Sequence, residues 1–305
     1  MLREDQKFAS SNLLKKLQRL QPLLTARVVQ LETDLFVMLG AECFSGSLKG
    51  LSAYSSLQHT LQELGEQNFK GKTLLDASSG NFARALSHLG EYLNLDCEVV
   101  VSTKATQATL DLIKAHGAKV TIGGDTTLEC YEKAKMLAKQ QPEKYILTAQ
   151  LDNWGNPQGH YDFTAPQIFK EVPDVQEIYM AMGSGGGVSG VTRYCAEHVP
   201  GTKVFVTIAK PGNKIVGTFS DDLDYETPFI HEARVSGWIA GELPLTTEDA
   251  KKGMIEMRKK YGLLTGFSAG GVYTAFKRRK EAGETNGPAI ILAWDGHDRW
   301  IEKLN

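Results

Sequence analysis

The alternation of short β-branched runs with longer helical patterns constrains this chain more than any other feature. Runs at 72–76, 98–102, 119–122, 178–182, 203–208 and 289–294 read as strands, and most are followed by Gly or Ser and then by a segment of helical periodicity. Strands that alternate with helices in this way build a parallel sheet. An amphipathic helix carrying Leu13, Leu14, Leu17 and Leu20 opens the chain. Two strand–helix series follow, on either side of a break rich in Asn, Gly and Pro at 152–158. The expectation is an α/β protein with two open, mostly parallel sheets flanked by helices. Ligands of open α/β sheets sit at the carboxyl ends of the strands, so the loops at 78–81 and 183–187 should face a shared cleft.

The 305 residues, 42% of them hydrophobic, suffice for two ordinary domains. A formal net charge of -2, with no Lys/Arg cluster on one helix face, gives no electrostatic reason to expect nucleic acid or an anionic membrane as partner. A small-molecule ligand is the better expectation. Cys43, Cys97, Cys130 and Cys195 lie far apart, with no C-x-x-C and no His at ligand spacing, so they read as reduced thiols and no metal is expected. The first twenty residues are charged throughout and lack an apolar stretch ending in a cleavage site, and no segment approaches the length needed to span a bilayer. A cytoplasmic location is expected.

Four segments could carry chemistry. The run Ala181-Met-Gly-Ser-Gly-Gly-Gly-Val-Ser-Gly190 follows a strand and opens a helix. Backbone N–H groups there can nest a phosphate, because no Cβ blocks the approach and the helix dipole favours an anion. The run is neither G-x-G-x-x-G nor Walker A, and tight strand–helix packing would also account for it. In Ser45-Gly-Ser-Leu-Lys49 the lysine opens a helical stretch. Held in a partly desolvated cleft, its ammonium form would be disfavoured, readying it to form an imine with an aldehyde, although a lone lysine is far more often a surface residue. Asp76-Ala-Ser-Ser-Gly-Asn81 offers hydroxyl, amide and backbone donors to a carboxylate, or an ordinary helix cap. In the turn around Ser268, a serine is more often a cap than a catalyst.

Taken in order, these segments resemble the second fold type of pyridoxal-phosphate enzymes, the tryptophan synthase β-like fold, and within it the cysteine synthase and cystathionine β-synthase family. The resemblance implies a pyridoxal 5'-phosphate cofactor in the interdomain cleft, bound through its aldehyde to Lys49. It implies that Gly183, Ser184, Gly185, Gly186 and Gly187 cradle the phosphate, that Asn81 meets the ring oxygen, and that Ser268 meets the pyridine nitrogen. Ser78, Ser79 and Gly80 would hold the substrate carboxylate. The stretch Gln150 to Tyr161 is similar to the sulfhydrylase pattern Q-x-x-N-x-x-N-P-x-x-H-Y, which would add Gln150 to that carboxylate site and which the serine and threonine dehydratases lack.

The family's architecture further implies a substrate-binding, lysine-bearing unit at 35–150 and a phosphate-binding unit made of 1–34 and 151–305. The implied reaction is β-replacement on an activated serine, such as O-acetylserine, by sulfide or another nucleophile, giving cysteine or a related amino acid. A serine/threonine dehydratase, or a catalytically silent member serving as a regulatory partner, are the alternative readings. A homodimer follows from the resemblance, as does a serine acetyltransferase-like partner. Departures from the pattern are Gly50-Leu51 where Asp-Arg is usual, Phe82 and Gly187 where Thr is usual, and Ala181-Met182 where Gly-Thr is usual. A bulky Phe82 beside the reacting carbon would change the substrate.

Overall fold

The computed structural model describes residues 12–78, 80–222 and 225–296. In chain order its strands are β1 (Arg27–Glu32), β2 (Leu35–Leu39), β3 (Thr73–Ala77), β4 (Cys97–Ser102), β5 (Lys119–Gly124), β6 (Tyr145–Leu147), β7 (Glu177–Ala181), β8 (Lys203–Ala209), β9 (Gly241–Leu245) and β10 (Ala289–Ala293). The helices are α1 (Asn12–Gln18), α2 (Lys49–Leu64), α3 (Asn81–Leu93), α4 (Gln107–Lys114), α5 (Thr127–Gln140), α6 (Gly155–Gly159), α7 (Ala165–Glu171), α8 (Gly186–His198), α9 (Pro228–Val235), α10 (Thr247–Tyr261) and α11 (Phe267–Glu281).

Two sheets result. The smaller, in the order β5-β4-β3-β6, is wholly parallel, and α3, α4 and α5 are its crossovers. The larger runs β1-β2-β10-β7-β8-β9 and is parallel except for the β1–β2 hairpin. Its central strands Glu-Ile-Tyr-Met-Ala and Ala-Ile-Ile-Leu-Ala are buried at every position, as strands covered on both faces by helices must be. Each sheet carries its own apolar core. Among the described residues no helix is long and apolar enough to cross a membrane.

The six strands expected from the sequence are present within a residue or two. Leu35–Leu39 pairs in parallel with Ala289–Ala293, Leu35 opposite Ala289, so residues 35–39 belong to the larger sheet. The break at 152–158 folds tightly against the smaller sheet and α2. Asn153 Nδ2 donates to Thr148 O (2.9 Å), Thr60 Oγ1 (3.0 Å) and Ser56 O (3.2 Å), while its Oδ1 accepts from Gly155 N (2.8 Å), starting α6 against α2. One side chain thus ties the end of the smaller sheet to the first turn of the next helix.

The glycines at the α10–α11 crossing seat the helix that carries Ser268. A Cβ at Gly253 would overlap the carbonyl oxygen of Gly270, and one at Gly270 would overlap that of Ala250. Gly253→Ala should therefore cost about 1–3 kcal/mol of stability, despite the better helix propensity of Ala, as backbone-to-backbone overpacking does. Urea unfolding checks this; an unchanged midpoint would mean that the two helices can move apart freely.

Candidate functional site

Lys49 is the first residue of α2 and its turn is tightly prescribed. Ser45 and Gly46 take left-handed backbone angles (φ 61 and 72). The Lys49 N–H donates to Ser47 Oγ at 3.0 Å. Gly50 is there because a Cβ would overlap the carbonyl oxygen of Phe44, which accounts physically for the glycine where the family pattern has a charged residue. The amine reaches across to the other half of the molecule and donates to Ser184 Oγ at 3.0 Å. Burial pulls its pKa down from 10.5 to about 8, and no carboxylate pairs with it among the described residues. An amine so placed is readily neutral and nucleophilic.

Ser184 belongs to the glycine loop that ends β7 and starts α8. Gly185 caps the helix with φ 85, and the first-turn N–H groups have no intrahelical acceptor. Neighbours close round the loop from every side: a Cβ at Gly183 would overlap Gly217 O, and one at Gly186 would overlap Asn156 Oδ1. Ser184 O accepts from Thr227 Oγ1 at 2.7 Å, and Phe219 N donates to Met182 O at 2.6 Å. Phe219 and Thr227 therefore buttress the loop. These N–H groups at the start of a 13-residue helix make a cradle for a phosphate-sized anion.

Asn81 opens α3 after Gly80, and its Nδ2 donates to Asp295 Oδ2 at 2.7 Å. Gly80 N donates to Ser78 Oγ at 3.3 Å. Ser79 lies outside the described residues. Ser268 sits in the first turn of α11, where Gly266 N donates to Asp295 O at 3.2 Å. Gln150 is buried, with its Nε2 on Ala77 O (2.9 Å), and its carbonyl accepts from Asn156 Nδ2 (2.9 Å). Asn156 Nδ2 also lies 3.4 Å from Ser184 Oγ. One connected set of contacts thus joins Lys49, the glycine loop and Gln150, and Asp295 joins Asn81 to the Ser268 turn. Phe82 is not beside these groups: it is 1% exposed and packs in the apolar cluster with Leu51, Tyr54 and Leu86.

Several contributors escaped the sequence reading. Asp76 ends inside β3 and accepts from Ala77 N (2.7 Å), Gln150 N (3.0 Å) and Thr148 Oγ1 (2.5 Å), fixing the two loops that leave the smaller sheet. His160 is buried between Ser52 Oγ (2.9 Å) and Thr164 Oγ1 (2.9 Å), and burial, aided by the Lys49 charge, pulls it down to about 3, so its ring is neutral. Trp294 packs edge-on to that ring, with centroids 5.3 Å apart. The only sequence signal for Trp294 and Asp295 is their position just past a strand end, where site residues of parallel sheets gather.

Pyridoxal-phosphate dependent enzymes, as a family, match residues 15–294 of this sequence. The chain belongs to that family, and its members use pyridoxal phosphate. A probable cysteine synthase of Bacillus subtilis (strain 168) is 28% identical over 301 residues, covering 92% of this chain and 93% of that protein. A hydrogen sulfide-producing enzyme of Fusobacterium nucleatum shares the fold with a TM-score of 0.82 at 22% identity, over 96% of this chain and 100% of that one. An O-acetyl serine sulfhydrylase isoform of Entamoeba histolytica does so with a TM-score of 0.80 at 20% identity, over 99% and 93%. The fold class and the family resemblance are therefore both established.

Burial pushes the Asp76 carboxyl up from 3.8 to about 6, against the hydrogen bonds from Thr148, Gln150 and Ala77 that lower it. The folded chain then holds this proton more tightly than the unfolded chain. The group stabilises the fold fully below about pH 4 and loses that contribution as pH rises through about 6, a change of about 3 kcal/mol. Asp76→Asn cannot titrate. The unfolding free energy of wild type relative to the variant should fall by that amount between pH 4 and 7 in urea titrations; a flat difference would show that the three donors hold Asp76 ionised throughout.

Proposed function

We propose that this chain catalyses β-replacement on an activated serine of the O-acetylserine kind, with sulfide or another nucleophile, using pyridoxal phosphate held on Lys49. The observation that carries the reading is the Lys49 amine, desolvated to a pKa of about 8 and 3.0 Å from Ser184 Oγ of the glycine cradle. An amine that gives up its proton more readily than a solvated lysine, beside a nest for an anion, suits a ligand that carries both an aldehyde and a phosphate. The relatives support the chemistry, and the fold likeness supports the arrangement of the units.

When bound, the cofactor supplies the electron sink for the bonds at the substrate's α-carbon. The chain's own residues do the rest. The helix α8 N–H groups and Ser184 would hold the phosphate, and Ser268 would offer a neutral hydroxyl to the pyridine nitrogen, a partner that would leave the ring a weaker sink than a carboxylate would and would suit elimination and addition at the β-carbon. Ser78 and Gly80, with Ser79, would donate to the substrate carboxylate, joined by the second N–H of Gln150, and Asn81 would meet the ring oxygen of the cofactor. Lys49 Nζ would hold the cofactor's aldehyde and, when free, could accept the substrate's α-proton and return one. His160, neutral and locked by Ser52 and Thr164, and the indole of Trp294 close the floor and exclude water. We further propose that the chain acts as a homodimer in the cytoplasm, with a lysine-bearing unit and a phosphate-binding unit meeting at this cleft.

Visible absorbance tests the assignment. Wild type with cofactor should be yellow, should lose the band on borohydride reduction with the label on Lys49, and should change spectrum and release acetate with O-acetylserine; Lys49→Ala should do none of these. A colourless wild type would remove the lysine assignment, and pyruvate accumulating at the full turnover rate with sulfide present would remove β-replacement.

Because the amine must be neutral to capture the aldehyde, the rate of cofactor uptake by the cofactor-free protein should rise about tenfold per unit up to a pH of about 8 and level off above it. Stopped-flow absorbance measures this. A rate that keeps climbing to pH 10 would mean that Lys49 keeps its ordinary pKa.

A further inference from the structure

Trp294 carries a buried donor with no partner. The residue is 9% exposed, and its Nε1 makes no hydrogen bond among the described residues. Indole N–H groups buried in proteins ordinarily find an acceptor, since leaving one unpaired costs on the order of 1–3 kcal/mol. The main chain of this residue is held firmly: its carbonyl accepts from Leu48 N at 3.0 Å. The ring is held too, against His160 on one side and with the Lys49 amine 5.6 Å from its centroid on another.

The direction of the ring is fixed by the glycine cradle. A Cβ built on Gly187 would overlap Trp294 Cη2 and would lie 2.8 Å from Cζ2. Those two atoms form the edge of the benzo ring nearest Nε1, so the nitrogen-bearing side of the indole is the side turned to the start of α8. Gly187 has no side chain because the indole occupies that space. The position that could have offered a side-chain donor at the cradle has given it up to a residue more than a hundred positions away in sequence, which brings an N–H of its own.

We propose that Trp294 is a cofactor-binding residue of this chain, its indole N–H donating to the phosphate group seated in the glycine cradle, in place of a side chain at position 187. The inference rests on the proposed cofactor site and adds to it a donor that no feature of the sequence patterns assigns. A hydrogen bond to an anion is the stronger kind, and its loss should be read in affinity and not only in turnover.

The test compares Trp294→Phe with wild type in titrations of the cofactor-free full chain. Two ligands are used: pyridoxal phosphate and pyridoxal, which lacks the phosphate. Binding is read from visible absorbance and the bound phosphate from its ³¹P resonance. Trp294→Phe should bind pyridoxal phosphate about tenfold more weakly, should bind pyridoxal as wild type does, and should shift the bound ³¹P signal. Pyridoxal binding in the same sample reports that the cleft is folded. Gly187→Ala, which must push the indole aside, should lower the same ratio. Equal weakening of both ligands in Trp294→Phe would make the indole a packing element and overturn the proposal, as would no change in either. If wild type takes up neither ligand, the cofactor site itself is misassigned, an outcome separate from the other two.

Discussion

Two consecutive residues past the end of β10 hold the site together. Trp294 O accepts from Leu48 N, one residue before the lysine; Asp295 Oδ2 accepts from Asn81 Nδ2; Asp295 O accepts from Gly266 N, two residues before Ser268. Three loops that are remote in sequence are thus fixed to one point. That point is itself deeply seated, because Ala289–Ala293 is buried at every position between β2 and β7. Residues of Gly40 also press on it, where a Cβ would come 2.7 Å from Ala293 O. A central strand covered on both faces is the most rigid support a parallel fold can give to a loop cluster, and the geometry of the cleft derives from it.

The family's sequence departures become intelligible against this support. At Gly50 the space is taken by the Phe44 carbonyl, and at Gly187 by the Trp294 ring. In both cases a side chain is absent because another part of the chain stands there, so the backbone path is preserved while the group that fills the volume changes. Phe82 shows the opposite case. Its ring does not enter the cleft, because at the second position of α3 it turns into the core with Leu86. Position in a motif did not reveal which way that side chain points.

What could be read from the sequence followed from local requirements. Central strands were legible because full burial demands continuous apolar, β-branched runs, and the glycine loop, the lysine turn and the Asn81 turn were legible because close backbone approach selects Gly and Ser. β1, β6 and β9 were not: they lie at sheet edges, where β1 is half exposed, β6 has three residues and β9 contains Pro244, a residue an edge strand tolerates; β2 was not singled out either, although it lies inside the larger sheet and is buried at four of its five positions. Asp76, Trp294 and Asp295 were missed for a different reason. Each acts through partners far away in sequence, as in the contact of Asn81 with Asp295, 214 positions apart, and no local pattern encodes such a pairing.

The electrostatic design of the cleft rests on burial and not on opposing charges. Lys49 has no carboxylate partner among the described residues, and desolvation alone lowers its pKa. Had a carboxylate paired with it, the ammonium would be stabilised and the amine lost as a nucleophile at neutral pH. Burial likewise keeps His160 neutral, so among the described residues the positive potential at the cradle comes from the backbone N–H groups at the start of α8, the Lys49 amine and any side-chain donor turned toward them. Neutral donors of this kind bind an anion without placing a second cation beside the lysine, whose pKa another positive charge would lower further and an unshielded phosphate would raise. A lysine whose reactivity depends on losing its proton and an anion-binding cradle can then share one small cleft, linked by the 3.0 Å contact of Lys49 Nζ with Ser184 Oγ.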